Sequence, residues 1–172
     1  MPPAPPARVV VADANVLINL IRADRLPLLG ALPGYQFVAP DDVVSEITDP
    51  PQRRVLSASL AEGHLRQEAI TDSQELARYA ELRGVLGRGE AACLALAESR
   101  GWLIASDEKR RLRREVEHRL GPGHLVTTPG LFILWIRAGV ITVEEADRAK
   151  AVLEQQRFRM PFRSFRDAVG TS

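Results

Sequence analysis

Cysteine is almost missing from this chain of 172 residues: Cys93 stands alone. A single thiol excludes an internal disulfide framework and fits a reducing cytoplasm. Lysine is nearly as scarce, with only Lys109 and Lys150, so the positive charge is almost all arginine. Aromatic residues make up 5% of the chain, and Trp102 and Trp135 fall in apolar segments that read as core rather than as base-stacking platforms. No apolar run approaches the roughly 20 residues of a membrane span, and the proline-rich start lacks the pattern of a secretory signal. The net charge of +1 gives no global field that would announce nucleic-acid binding. Gly-x-Ser-x-Gly is absent, as is a phosphate-binding glycine loop with lysine. His64, His118 and His124 are scattered without metal-ligand spacing.

What remains is an ordinary globular composition, 45% hydrophobic and 26% charged, at a length that suits one domain. Residues 1–7, Met-Pro-Pro-Ala-Pro-Pro-Ala, read as a stiff disordered arm. Residues 8–158 read as the domain, and residues 159–172 as a basic tail with Arg159, Arg163 and Arg166. The β-branched run 8–12 fits a strand buried on both faces. Strands are also predicted at 35–39, 102–105 and 124–126, with a weak edge strand within 64–70. Helical periodicity covers 15–25, a short stretch from Asp41 or Asp42 through Ile47, 51–62, 72–86, 90–100, 108–120, 128–138 and 142–158. Strands alternating with helices predict an α/β domain, a parallel sheet of about four to five strands between two helical layers. Such sheets bind ligands beyond the carboxyl ends of their strands.

Four acids each ride on or just after an apolar segment. They are Asp13 in Val-Val-Val-Ala-Asp-Ala-Asn, Glu46 in Val-Val-Ser-Glu-Ile, Glu90 in Gly-Arg-Gly-Glu-Ala-Ala and Asp107 in Leu-Ile-Ala-Ser-Asp. Each has a plain local explanation. Asp13 and Asp107 can cap helices, Glu46 can face solvent on an amphipathic helix, and Glu90 can complement a helix dipole. As a set they ask for more. Buried carboxylates lose solvation, and several in one pocket repel one another unless a proton or a cation intervenes. If the four converge, a divalent metal site is the simplest account, and oxygen donors of this kind favour magnesium or manganese.

In order and spacing these motifs resemble the PIN-domain ribonucleases, in their toxin-like prokaryotic branch. Val-Ala-Asp-Ala-Asn-Val-Leu-Ile resembles the opening strand and first acid of that family. Val-Val-Ser-Glu-Ile resembles its second motif, Gly-Arg-Gly-Glu-Ala-Ala-Cys-Leu-Ala-Leu-Ala the helix with the third, and Ile-Ala-Ser-Asp-Glu-Lys-Arg-Arg the fourth. The resemblance implies a PIN-like, Rossmann-like α/β/α fold and metal-dependent hydrolysis of RNA phosphodiesters. It implies that Asp13, Glu90 and Asp107 hold Mg²⁺ or Mn²⁺, that Glu46 completes the cluster, and that Asn15 and Ser106 orient it. A cytoplasmic toxin with an antitoxin partner and a homodimeric state is implied as well. Arg88, Arg110, Arg111 and Arg113 lie near the acids in sequence and are candidates for the RNA backbone. They read equally as a solvated face paired with Glu115 and Glu117. Two departures from the family bear on the metal. Aspartate is common where Glu90 stands, and a further acid or asparagine is common where this chain has Thr127 and Thr128. One well-held ion is therefore expected. The other readings are an RNA-processing nuclease outside a toxin system and a non-catalytic PIN-like binding module.

Overall fold

The computed structural model describes residues 1–170. Five strands form one parallel sheet among the described residues: β1 (Arg8–Ala12), β2 (Tyr35–Pro40), β3 (Arg66–Glu68), β4 (Leu103–Ala105) and β5 (Leu125–Val126), in the order β3-β2-β1-β4-β5. β1 takes the centre because its Val10 and Val11 can be buried on both faces at once. It pairs with β2 on one side and β4 on the other, with Ala12 opposite Ala105. Strand order reverses at the β1–β4 step, where parallel α/β sheets open a crevice. β3 is the polar edge Arg-Gln-Glu, and the apolar residue that anchors it, Leu65, precedes it.

Helices cover both faces. α5 (Arg88–Arg100) packs with α2 (Asp41–Glu46), α4 (Ser73–Leu82) and α6 (Arg111–Leu120). α1 (Ala14–Arg22) packs with α3 (Pro50–Ala61), α7 (Thr128–Arg137) and α8 (Val143–Gln155). α5 is buried all round from Ala91 to Ala97, which its alanine-rich sequence allows. Helix starts follow their capping residues: Asp49, Asp72, Thr127 and Thr142 each accept a backbone N–H of the first turn. α4 stops at Leu82, short of the predicted 86, in the turn that holds Gly84. α6 begins at Arg111 rather than at 108, because the Glu108 carboxylate gathers the N–H groups of Arg110, Arg111 and Leu112 at 2.8, 3.3 and 2.7 Å. The short 3₁₀ helix Leu26–Ala31 has no counterpart in the predicted elements.

Part of the stretch expected as a tail folds back. α9 (Phe165–Val169) buries Phe165 completely, with ring centroids 5.5 Å from Phe132 and 4.8 Å from Phe162. Asp147 of α8 accepts from Ser164 Oγ at 2.7 Å and from Phe165 N at 2.8 Å. Residues 171–172 of that stretch lie outside the described residues. Elsewhere the Arg100 guanidinium, at the end of α5, binds Glu75 and Glu68 at 2.7 Å each and lies 4.9 Å from the Trp102 ring centroid. Glu75 is 2% exposed, so this pair ties α4 to α5 inside the protein.

Among the described residues α1, α3, α7 and α8 end in the same reversed turn, whose left-handed residue is Gly63 after α3 and Gly139 after α7 but not glycine after the other two. After α8, Phe158 N donates to Leu153 O and Arg157 N to Glu154 O, with Arg157 at φ +66°. After α1, Arg25 N donates to Leu20 O and Asp24 N to Ile21 O, with Asp24 at φ +54°. Glycine is the usual occupant of that left-handed position and aspartate tolerates it, whereas arginine does so at a steric cost.

Candidate acidic active site

The centre of the site is Asp13, the first residue beyond β1. Its N–H donates to Ala105 O at 2.9 Å, so the backbone of β4 fixes it in place. Its Oδ1 accepts from Ala14 N at 2.8 Å and caps α1, while Oδ2 accepts from Ser106 Oγ at 3.1 Å. The local capping role and a role in the cluster thus use different oxygens of one carboxylate. Asp13 is 4% exposed. Burial pushes its carboxyl up to about 6, aided by the charges of Glu90 and Glu46 and opposed by the bonds from Ala14 and Ser106.

Glu46 is the last residue of α2 and reaches across to α5, where its Oε1 accepts from Gly89 N at 2.8 Å. That approach needs glycine: a Cβ at 89 would stand 2.8 and 2.9 Å from the two Glu46 oxygens. Glu90 lies in the first turn of the same helix. Its carboxyl is raised above the usual range by burial first, then by the charges of Glu108 and Glu46, with the Gly87 N–H opposing. Asp13, Glu46 and Glu90 also act together on Cys93. Burial and then these three charges push its thiol well above the ordinary value.

Asp107 is placed differently. Its oxygens accept from Thr128 N at 2.7 Å, from Thr128 Oγ1 and from Asn19 Nδ2 at 3.0 Å. Its own N–H donates to Asn15 Oδ1 at 3.2 Å, and Asn15 Nδ2 donates to Ser106 Oγ at 3.4 Å. A continuous chain of hydrogen bonds therefore runs from Thr128 through Asp107, Asn15 and Ser106 to Asp13. Asn15 and Ser106, the two residues expected to orient the acids, are the middle links of that chain. Thr128 stands where the family resemblance placed a further acid or asparagine; Asn19 escaped sequence reasoning, although a polar residue inside the apolar stripe of α1 was a usable sign.

Glu108, in sequence a weaker candidate next to Asp107, acts on the site through its charge on Glu90. Burial pushes its own carboxyl up, but the backbone N–H groups of residues 110–113 outweigh this and hold it below the usual range. Of the candidate RNA-binding arginines, Arg88 pairs with Asp42 at 3.1 Å and Arg113 with Glu117 at 3.3 Å. Arg111 is the arginine whose charge reaches Glu90, and Arg110 is exposed at the start of α6.

The donor atoms, not their present spacing, suit a hard cation. Asp13, Glu46 and Glu90 present only oxygen, and none of them is in an ion pair with a basic side chain among the described residues. No three His, Cys, Asp or Glu side chains among these residues are already drawn together tightly enough to hold an ion.

A family model described as the PIN domain matches residues 9–169. The chain belongs to the PIN-domain family. Its five parallel strands between helical layers are the PIN-like α/β fold expected from the sequence. Among solved structures this PIN domain is similar to a toxin-antitoxin complex from Klebsiella pneumoniae, with a TM-score of 0.47 and 19% identity over 69% of this chain and 97% of that one. None of the curated proteins matches it. No helix among the described residues is long and apolar enough to cross a membrane.

Proposed function

We propose that this PIN domain is a Mg²⁺- or Mn²⁺-dependent endoribonuclease. Asp13 and Glu90 would hold the ion, with Glu46 beside them. The observation that carries this reading is a buried aspartate at the carboxyl edge of the two central strands that feels the charges of two glutamates, none of the three in an ion pair among the described residues. Such a set is costly unless something positive completes it. When bound, the ion supplies Lewis acidity to a phosphodiester and makes water a better nucleophile. The protein's part is positional. Ser106 fixes one oxygen of Asp13, the Gly89 N–H fixes one oxygen of Glu46, and Asn15 is held between Ser106 and Asp107. Asp107 would join Asp13 and Glu90 through the lone pair that its bonds to Thr128 and Asn19 leave open on Oδ1, while its N–H holds Asn15.

The test is cleavage of single-stranded RNA by the purified protein. Cleavage is expected with Mg²⁺ or Mn²⁺, and none with a chelator or with Asp13→Asn. An Asp13→Asn protein that cuts as fast as the parent contradicts the assignment.

The biological reading rests on the family resemblance: a toxin that acts in the cytoplasm as a homodimer and is silenced by an antitoxin. Induced expression should then arrest a bacterial host, and the Asp13→Asn chain should not. An active nuclease that leaves growth unchanged points instead to RNA processing.

A further inference from the structure

Beside the acids lies a groove of about 430 Å³ that shares Asn15 and Asp107 with the acid site and holds two arginines that the nuclease reading does not use. Asn15, Ile18, Asn19 and Arg22 line it along one face of α1, Asp107 and Glu108 follow β4, and Gln156, Arg157 and Phe158 come from the turn after α8. The acids are occupied. Asp107 holds Thr128 and Asn19, and Glu108 holds the backbone at the start of α6. The arginines are not: neither the Arg22 nor the Arg157 side chain has a partner among the described residues, and neither is buried. The groove joins the acid site directly, since Asn15 in its wall is bonded to Ser106, which is bonded to Asp13.

The turn that carries Arg157 adds an independent observation. Its two backbone bonds are those of a helix-ending turn whose left-handed residue is normally glycine. Here that residue is Arg157, at φ +66°. The turn itself gains nothing from arginine and would close more easily with glycine, so the reason for a long cationic side chain lies outside the turn. Strain kept in this way goes with a functional site.

We propose that Arg22 and Arg157 form a phosphate-binding subsite for the nucleotide next to the scissile bond of a single-stranded RNA. Both guanidinium groups can take a phosphate in a planar, two-pronged contact. Half-buried Phe158 gives the sugar or base an apolar floor. This rests on the nuclease reading for the identity of the strand, and the arginine pair is its own contribution.

The experiment separates the two. Binding is measured by fluorescence anisotropy with a labelled, mixed-sequence single-stranded RNA of roughly 12 nucleotides, a length that spans one such site. The protein is the full chain carrying Asp13→Asn, so that cleavage does not interfere. Arg22→Gln and Arg157→Asn are then added together; asparagine tolerates the left-handed backbone, and thermal melts check the fold. The pair is expected to weaken binding by about tenfold and to flatten the salt dependence, in log–log form, by about 1.4, near 0.7 for each phosphate no longer neutralised. Arg157→Lys should restore part of the affinity. Unchanged affinity and slope in the double variant would overturn the subsite, as would loss of a protein partner with RNA binding intact. Absent cleavage by the wild-type chain, with the arginine effect present, removes the nuclease reading and its scissile bond and leaves Arg22 and Arg157 as an RNA-phosphate site.

Discussion

Asp13 is one side chain with two obligations, and its titration shows the tension between them. Its carboxyl stands at about 6 in the folded protein against an ordinary 3.8. A group raised in this way contributes its full stability below the unfolded value and loses it as pH rises through the folded one. The cation-free protein should therefore lose on the order of 1 kcal/mol between about pH 5 and pH 7.5 through this group alone. Asp13→Asn should remove that part of the slope and melt higher than the parent in chelator near neutral pH, as pH-dependent thermal unfolding will show. Mg²⁺ should raise the melting temperature of the parent and leave the variant where it is. Gly89→Ala separates function from stability at a second residue. The added methyl meets first the carboxylate end of the exposed Glu46 side chain, and alanine favours the helix by up to about 1 kcal/mol. Stability should hold or rise, while cleavage falls at least about tenfold, a loss of roughly 1.4 kcal/mol in the transition state, measured as kcat/KM. The acids were legible because each sits at the boundary of an apolar segment. The contact of Glu46 with Gly89 was not, because residues so far apart in sequence meet only once the sheet has formed.

Elements meet through polar joints that no local pattern announces. Asp107 gives the start of α7 its acceptor, and Thr128 there is fully buried. Asp107→Ala leaves that N–H and hydroxyl without partners, at about 2–4 kcal/mol. Denaturant unfolding should show that loss, unlike the gain expected for Asp13→Asn. The Arg100 joint between α4 and α5 is of the same kind, since Glu75 and Arg100 lie on different helices and meet only in the folded chain. β1 and α5 were readable from their β-branched and alanine-rich runs. α9 was hidden by its arginines: Phe162 and Phe165 carry its packing against Phe132, but a stretch rich in Arg159, Arg163 and Arg166 reads as solvated. The start of α6 was misplaced because a carboxylate at 108 can serve a helix from outside as well as from within.

At the scale of the whole molecule the sheet does the gathering. The order reversal beside β1 sets Asp13 and Ser106 on adjacent strand ends, and the crossovers deliver Glu46 and Glu90 to the same edge. Strand alternation in the sequence was enough to foresee this edge. The closing contribution of α8 and α9 was not foreseeable, since it depends on where the chain goes after the last strand. Phe165→Ala, which empties a fully buried position against Phe132, should cost about 3–5 kcal/mol by calorimetry.

The solitary thiol offers a way to watch this machinery. Cys93 is fully enclosed in α5 and kept protonated by burial and by the neighbouring acids. An alkylating reagent can reach it only when that helix loosens. Its labelling rate is thus a clock for the opening of the element that carries Glu90, and a bound cation should make the clock run slow.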